Sequence, residues 1–409
     1  MSLKFAREAK EIETLKIYRG DLEAGELRRK KNGCEFQYSQ SFLAQSHFSA
    51  LSYRITKFTG GKRFQGDNLP AFFAGLLPEG FRLRALVQKI KTSEDDLFSL
   101  LAATGHHCIG DVYVYSDLTP SPSTIDAETL QTVDFYELLQ KSLTDPQIKY
   151  EDASLAGVQE KLSASMISFP LRFTKKNKSY ILKLNPKDKP GLVTNEYECL
   201  KLAQKCGIEV NSAKIIQDAN QNEGLLVERF DRFFDSDQNK FQMIHQEDAC
   251  QFLDRYPADK YRLSLSEIAE GILELSAAPA IEILKLLKLY AFSYLIGNGD
   301  LHAKNISLKT DYDTGKITLT PAYDLICTYI YGDHKMALKI NGRDDNIKRR
   351  DFIEFGIRFN VPEMATASCL DSLITKIKAN NAQLRDLFSS KQQRQYDQMF
   401  QKRSTELGA

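Results

Sequence analysis

Gly297-Asn298-Gly299-Asp300-Leu301-His302-Ala303-Lys304-Asn305 is followed, nineteen residues on, by Asp324 in Pro321-Ala322-Tyr323-Asp324-Leu325. An acid, a carboxamide five residues later and then a second acid is the order in which a phosphotransferase of the protein-kinase type supplies a base and two magnesium ligands. The spacing alone is weak, since a chain this long holds roughly one Asp-x4-Asn pair by accident. The surroundings therefore decide.

Phosphoryl transfer asks little covalent help of a protein. It needs the nucleophile aimed, the γ-phosphate held and its growing charge neutralised. Asp300 follows a run at 281–296 that reads as a buried helix, and there it is placed to orient or accept a substrate hydroxyl proton. Asn305 and Asp324 offer the hard oxygen donors that Mg²⁺ prefers, and Gly297 and Gly299 allow a sharp turn beside the acid. The bland alternative is a polar loop closed by an Asx turn. His302 and Lys304 either touch the γ-phosphate or brace the loop.

Upstream, Tyr180-Ile181-Leu182-Lys183-Leu184 sets one lysine among apolar neighbours on a strand, as a kinase does to present an ammonium to the α- and β-phosphates. The competing reading is a lysine snorkelling from an edge strand. Glu196, on the following helical stretch, either pairs with Lys183 or faces solvent. Leu226-Val227-Glu228-Arg229-Phe230-Asp231-Arg232 leaves a strand where a two-lobed kinase reads adenine, which makes Glu228 and Phe230 hinge candidates; a strand end with a charged cluster is the alternative. No G-x-G-x-x-G lid is present. In its place stands Ser154-Leu155-Ala156-Gly157-Val158-Gln159-Glu160-Lys161, whose backbone N–H groups, around Ser154, Ala156 and Gly157, are able to cradle phosphate.

The rest of the composition narrows the field. At 409 residues, 42% hydrophobic and 27% charged, the chain is globular, with a length suited to roughly two to four domains. Lys+Arg 55 against Asp+Glu 54 leaves +1, so no global field argues for a nucleic-acid coat or a membrane surface. Seven scattered cysteines without a C-x-x-C pair disfavour a disulfide framework and a zinc knuckle, and a reducing, cytoplasmic setting fits them best. The N-terminus lacks a secretory h-region and no apolar run spans a bilayer, so a membrane is not among the expected partners. His106-His107-Cys108 has no further ligand at useful spacing, and Lys348-Arg349-Arg350 reads as solvated surface.

Periodicity gives the outline. The alternating Val112-Tyr113-Val114-Tyr115 strand is followed by a Pro/Ser-rich break at 117–124. A helical stretch at 134–142 leads to strands at 162–173 and 180–184. The helix around 194–203 stops at Gly207, and a strand at 225–227 precedes long helical patterns broken by one hairpin at 306–319. The fold class expected is α+β, a two-lobed protein-kinase-like fold with a β-rich N-lobe, an α-rich C-lobe and an additional N-terminal α/β subdomain. The boundaries are residues 1–120, 121–230 and 231–409.

The residues quoted, with Leu76-Leu77-Pro78-Glu79-Gly80, Arg82, Arg84, Gly105-His106-His107-Cys108-Ile109-Gly110 and Asn195-Glu196-Tyr197, resemble in order and over nearly the whole chain the HipA-type serine/threonine kinases of bacterial toxin-antitoxin modules. The resemblance implies a catalytic Asp300, Mg²⁺ on Asn305 and Asp324, ATP phosphates on Lys183, and adenine framed by Glu228 and Phe230. The Ser154 loop, His302, Lys304 and Tyr323 complete the nucleotide site. It further implies that Ser154 is autophosphorylated, an inactivating switch that fits the repulsion between phosphoserine and ATP phosphates. An aminoacyl-tRNA synthetase as substrate and a HipB-like helix-turn-helix antitoxin on operator DNA follow from the same likeness. A small-molecule kinase, or a chain acting mainly as an antitoxin-associated corepressor, are the rival readings.

Overall fold

The computed structural model describes residues 2–31, 33–45, 50–57, 61–65, 69–104, 108–115, 124–125, 132–137, 166–173, 178–186, 189–311 and 313–408. The chain divides into two compact units, one of residues 1–160, 167–184 and 216–257, the other of 161–166, 185–215 and 258–409. The Ser154 loop, with Ala156 and Gly157, lies outside the described residues, as do His106 and His107.

In the first unit, β1 (Thr14–Arg19), β2 (Leu22–Lys30), β3 (Gly33–Tyr38), β4 (Gly61–Gln65) and β5 (Val112–Tyr115) make an antiparallel sheet in the order β4-β3-β2-β1-β5. Alternation explains which face is buried: Leu15 and Ile17 of β1 and Val112 and Val114 of β5 point the same way, into a core with Leu27, Phe36, Phe73 and Leu101. Helices Ala71–Gly75, Gly80–Ile90 and Leu97–Thr104 supply much of that core. Gly25 has to be glycine, because a Cβ there would sit 2.1 Å from the Gln37 carbonyl oxygen on β3.

A second sheet holds β6 (Thr124–Ile125), β7 (Ile167–Phe173), β8 (Lys178–Leu184) and β10 (Glu223–Glu228) in that order, with β9 (Ala213–Gln217) at the outer edge, where the chain re-enters the unit. β8 is paired on both sides, antiparallel to β7 and to β10. The strands β11 (Arg232–Asp235) and β12 (Lys240–Met243) form a short ribbon, and β13 (Gln246–Asp248) leads through an Asp248/Gln251 capping box into the helix Ala249–Phe252.

The second unit is built on the helix Pro279–Ile296, which is apolar nearly all round and therefore central. Proline starts it. Gly297, at φ +78°, ends it: Asn298 N donates to Ser293 O at 2.8 Å and Gly297 N to Tyr294 O at 3.2 Å, a Schellman closure that turns the chain straight into Asp300. The helices Leu265–Leu275, Arg349–Arg358, Glu363–Asn380 and Ser390–Gly408 pack around it. From the last of these, buried Arg403 donates to Tyr294 O at 2.6 Å and His334 O at 2.7 Å, with its guanidinium 4.2 Å from the Tyr294 ring centroid. β14 (Ser307–Thr310) and β15 (Ile317–Leu319) form the hairpin the sequence predicts, turned at Asp311 and Gly315.

Candidate active site

The segment 297–305 is held in place by its neighbours, residue by residue. Thr328 N and Tyr329 N both donate to Gly297 O, at 2.9 and 3.0 Å, and Gly299 N donates to Thr328 Oγ1 at 2.8 Å. A Cβ at Gly299 would lie 2.6 Å from the Lys335 carbonyl oxygen. Gly299 is thus required by close approach, not by its φ, whereas Gly297 needs the left-handed region. Asp300, 1% exposed, donates its N–H to Asn298 Oδ1 at 3.1 Å and accepts from the Tyr261 hydroxyl at Oδ1, 3.0 Å away.

Beyond it, a one-turn 3₁₀ helix at Ala303–Asn305 brings Asn305 round. Its Oδ1 accepts from His302 N at 3.2 Å and its Nδ2 donates to Asp324 Oδ2 at 3.2 Å. Asp324 adopts φ +55°, a backbone conformation uncommon for an aspartate and concentrated at functional sites. It is flanked by fixed points: Ala322 N donates to Glu209 O at 2.7 Å, and Asn195 bonds both backbone groups of Cys327, accepting from N at 2.9 Å and donating to O at 3.1 Å. The Tyr323 hydroxyl donates to Lys304 O at 2.8 Å and so accepts from Ser307 Oγ, which brackets the two loops from outside. His302 is buried, its ring edge-to-face with Tyr261 at 5.1 Å.

Asp300, His302, Lys304, Asn305, Tyr323 and Asp324 therefore gather in one framework of the second unit. Lys183, Glu228 and Phe230 belong to the first. Lys183 is 6% exposed on an interior strand, between Ser168 of β7 and Leu225 of β10, so the edge-strand alternative does not hold. Glu196 is 1% exposed, and its solvent-facing alternative falls too. Glu228 ends β10 in an ion pair with Lys178 at 2.8 Å, and Phe230 is half-buried.

The charges around the hinge candidates are structural. Asp231 takes Arg229 in a bidentate pair at 2.8 and 2.5 Å, Arg232 at 3.0 Å, and the N–H of Gly110 at 2.8 Å. Arg229 and Arg232 also donate to Cys108 O, at 3.2 and 3.0 Å, so two motifs 121 to 124 positions apart in the chain close on each other. Burial raises the Asp231 carboxyl, but the two guanidinium groups outweigh it and hold the group far below the usual range. A second buried cluster joins β1 to β13. Arg19 Nε donates to Asp111 Oδ2 at 2.8 Å, and His245 stands between Asp111 (2.7 Å) and Glu247 (2.9 Å).

The donor set suits magnesium. Asn305 Oδ1 and the Asp324 carboxylate are hard oxygens, and among the described residues no group of three or more His, Cys, Asp and Glu side chains forms a cage. One or two protein oxygens completed by substrate phosphates is how Mg²⁺ is ordinarily held in phosphotransferases. No helix among the described residues is long and apolar enough to cross a membrane.

Sequence reading passed over Tyr261, Asn195 and Thr328. Each acts through a contact distant in the chain, and only Asn195 lay in a quoted motif.

Comparison with known proteins gives the family and the fold. The HipA-like C-terminal domain family matches residues 153–381, and the HipA N-terminal domain family matches 15–115. A Sinorhizobium fredii protein named as a kinase, Y4mE, is 30% identical over 336 residues, 78% of this chain and 79% of its own. The serine/threonine-protein kinase toxin HipA of Shewanella oneidensis is 26% identical over 346 residues, 80% of this chain and 77% of its own. The solved complex of Shewanella oneidensis HipA, HipB and operator DNA superposes with a TM-score of 0.72 at 20% identity, over 96% of both chains, which shows a shared fold. The chain belongs to the HipA family of kinases, with the α+β kinase-like fold of that family.

Proposed function

We propose that this kinase is a Mg-ATP-dependent protein serine/threonine kinase in which Asp300 orients the acceptor hydroxyl and Asn305 and Asp324 hold Mg²⁺. Lys183 clamps the α- and β-phosphates, while Glu228 and Phe230 frame adenine. The observation that carries the reading is the Asn305–Asp324 contact, built into the same hydrogen-bonded framework as buried Asp300. Magnesium supplies charge neutralisation at the phosphates. The protein supplies position: a buried carboxylate just past a helix end and, in the same unit, the Asn305 and Asp324 side chains held against each other.

The finer assignments extend the family likeness. The substrate is an aminoacyl-tRNA synthetase, the restraining partner a HipB-like helix-turn-helix antitoxin able to carry the complex onto operator DNA, and Ser154 the autophosphorylated switch. The shared fold with a HipA that is solved with HipB and DNA supports the antitoxin reading. Incubation with Mg-ATP tests the core claim: phosphate on a serine or threonine of the chain or of a synthetase, lost in Asp300→Gln, is the expected result. Indistinguishable phosphoproteomes of cells carrying wild type and Asp300→Gln would sink the substrate assignment.

A further inference from the structure

Tyr261 lies outside every motif that marks the family, yet it touches the centre of the strongest one. Its hydroxyl donates to Asp300 Oδ1 at 3.0 Å, its ring meets His302 edge-to-face at 79° with centroids 5.1 Å apart, and the carbonyl of Lys260 accepts from Ala303 N at 3.1 Å. Three contacts of different kinds fasten the Lys260-Tyr261 pair to the loop that carries Asp300, and all lie within the second unit. The Lys260 ammonium stands 5.4 Å from the same ring centroid.

We infer that Tyr261 is a positioning residue for the reaction, setting the plane and the ionised state of the Asp300 carboxylate; this rests on the assignment of Asp300 as the catalytic aspartate. The argument is electrostatic as well as geometric. Asp300 is 1% exposed, and a carboxylate removed from water stays charged only where donors replace its hydration. A phenol O–H aimed at one oxygen stabilises the anion, and a hydrogen bond to an ionised acceptor is about twice as strong as a neutral one. It also fixes the rotation of the carboxyl group, and thereby the direction from which an acceptor hydroxyl meets it. The His302 contact holds the phenol ring itself, so the orientation passes from Tyr261 to Asp300.

The test uses the full-length chain, Tyr261→Phe to delete only the hydroxyl, and Tyr261→Leu to remove the ring as well. Self-phosphorylation from Mg-ATP is followed against pH and ATP concentration, beside thermal melting. For Tyr261→Phe the expected result is a melting temperature near wild type, a half-saturating ATP concentration within about twofold, a maximal self-phosphorylation rate lower on the order of tenfold, and an acid limb displaced to higher pH. Tyr261→Leu adds a loss of melting temperature. A ¹³C carboxyl titration of Asp300 reads the same effect without turnover and moves to higher pH in Tyr261→Phe. An unmoved titration overturns the inference, and so does a rate loss that follows lower melting while the acid limb stays in place. Equal phosphate transfer by wild type and Asp300→Gln would instead overturn the assignment of Asp300, a failure distinguishable from that of Tyr261.

Discussion

Asn305 and Asp324 meet through a 3.2 Å hydrogen bond from Nδ2 to Oδ2, although they stand nineteen positions apart with a complete β-hairpin between them. The contact leaves the amide oxygen of Asn305 on the His302 N–H and brings one carboxylate beside it. Asp324→Asn replaces the only formal charge of that pair by a neutral amide of the same shape. Phosphate transfer is expected to fall by roughly a thousandfold, with weakened Mg²⁺ dependence and an almost unchanged melting temperature. A magnesium titration of the initial rate checks this, and a variant with wild-type magnesium response would remove Asp324 from the metal site.

Gly299 tests whether the loop conformation is as tightly enforced as its contacts indicate. Gly299→Ala pushes a methyl to 2.6 Å from a backbone carbonyl oxygen that cannot turn aside, at a cost of about 1–3 kcal/mol. It also displaces the N–H that holds Thr328. Gly315→Ala is the control: φ is +66° but no atom lies within 4 Å, so only the backbone penalty of about 1–2 kcal/mol applies, and activity is retained. Denaturant unfolding and rate assays on the two variants separate strain at a hairpin tip from strain at the site.

The legible part of this protein was what lies close together in sequence. The helix before Asp300, its glycine stop and the Asp311 turn are local patterns, and the structure reproduces them. The likeness of seven short motifs, in order, gave the family and with it the kinase fold. What stayed hidden depends on folding itself. Tyr261 reaches Asp300 from thirty-nine residues upstream, and no spacing rule announces such a bond. The charges at Arg229, Asp231 and Arg232 read equally well as part of a hinge or as a cluster at an ordinary strand end, until Gly110 and Cys108 arrived as their partners. The first unit is itself discontinuous, a division that breaks in composition near residues 120 and 230 have no means to express.

Asn195 links the helix Leu192–Lys205 to the stretch just after Asp324 by bonding both backbone groups of Cys327. Asn195→Ala strands a buried N–H and a buried C=O at once, which costs about 2–4 kcal/mol if neither finds water. Because Cys327 is three residues from Asp324, the looser strap is expected to raise the KM for Mg-ATP more than it lowers kcat. Urea unfolding gives the first quantity and steady-state kinetics the second. A variant as stable as wild type would mean that the two bonds contribute nothing net.

His245 makes the stability of the first unit depend on pH in a direction that can be worked out. Each ring nitrogen faces a buried carboxylate, Nδ1 toward Asp111 and Nε2 toward Glu247, with Tyr53 and Phe72 against the ring. Burial and Arg19 push its pKa down, but Asp111 and Glu247 outweigh them, leaving it above the ordinary 6.5. A raised folded-state value contributes stability that is complete below the unfolded value and is lost as pH rises through the folded one. Asp111 behaves in the opposite sense. Burial would raise it, yet His245 and Arg19 lower it from 3.8 to about 2, so its contribution is present above 3.8 and fades as pH falls toward 2. His245→Gln keeps one donor and removes the charge. The variant is expected to be less stable than wild type by about 1–3 kcal/mol near pH 5.5, with the difference shrinking as the pH climbs above the unfolded value of 6.5 and wild type loses its own imidazolium. Urea unfolding of both proteins from pH 5 to 9 measures that gap; a constant gap would show that folding leaves the His245 pKa unshifted, and a gap that widens as the pH rises would show a neutral imidazole in the folded protein.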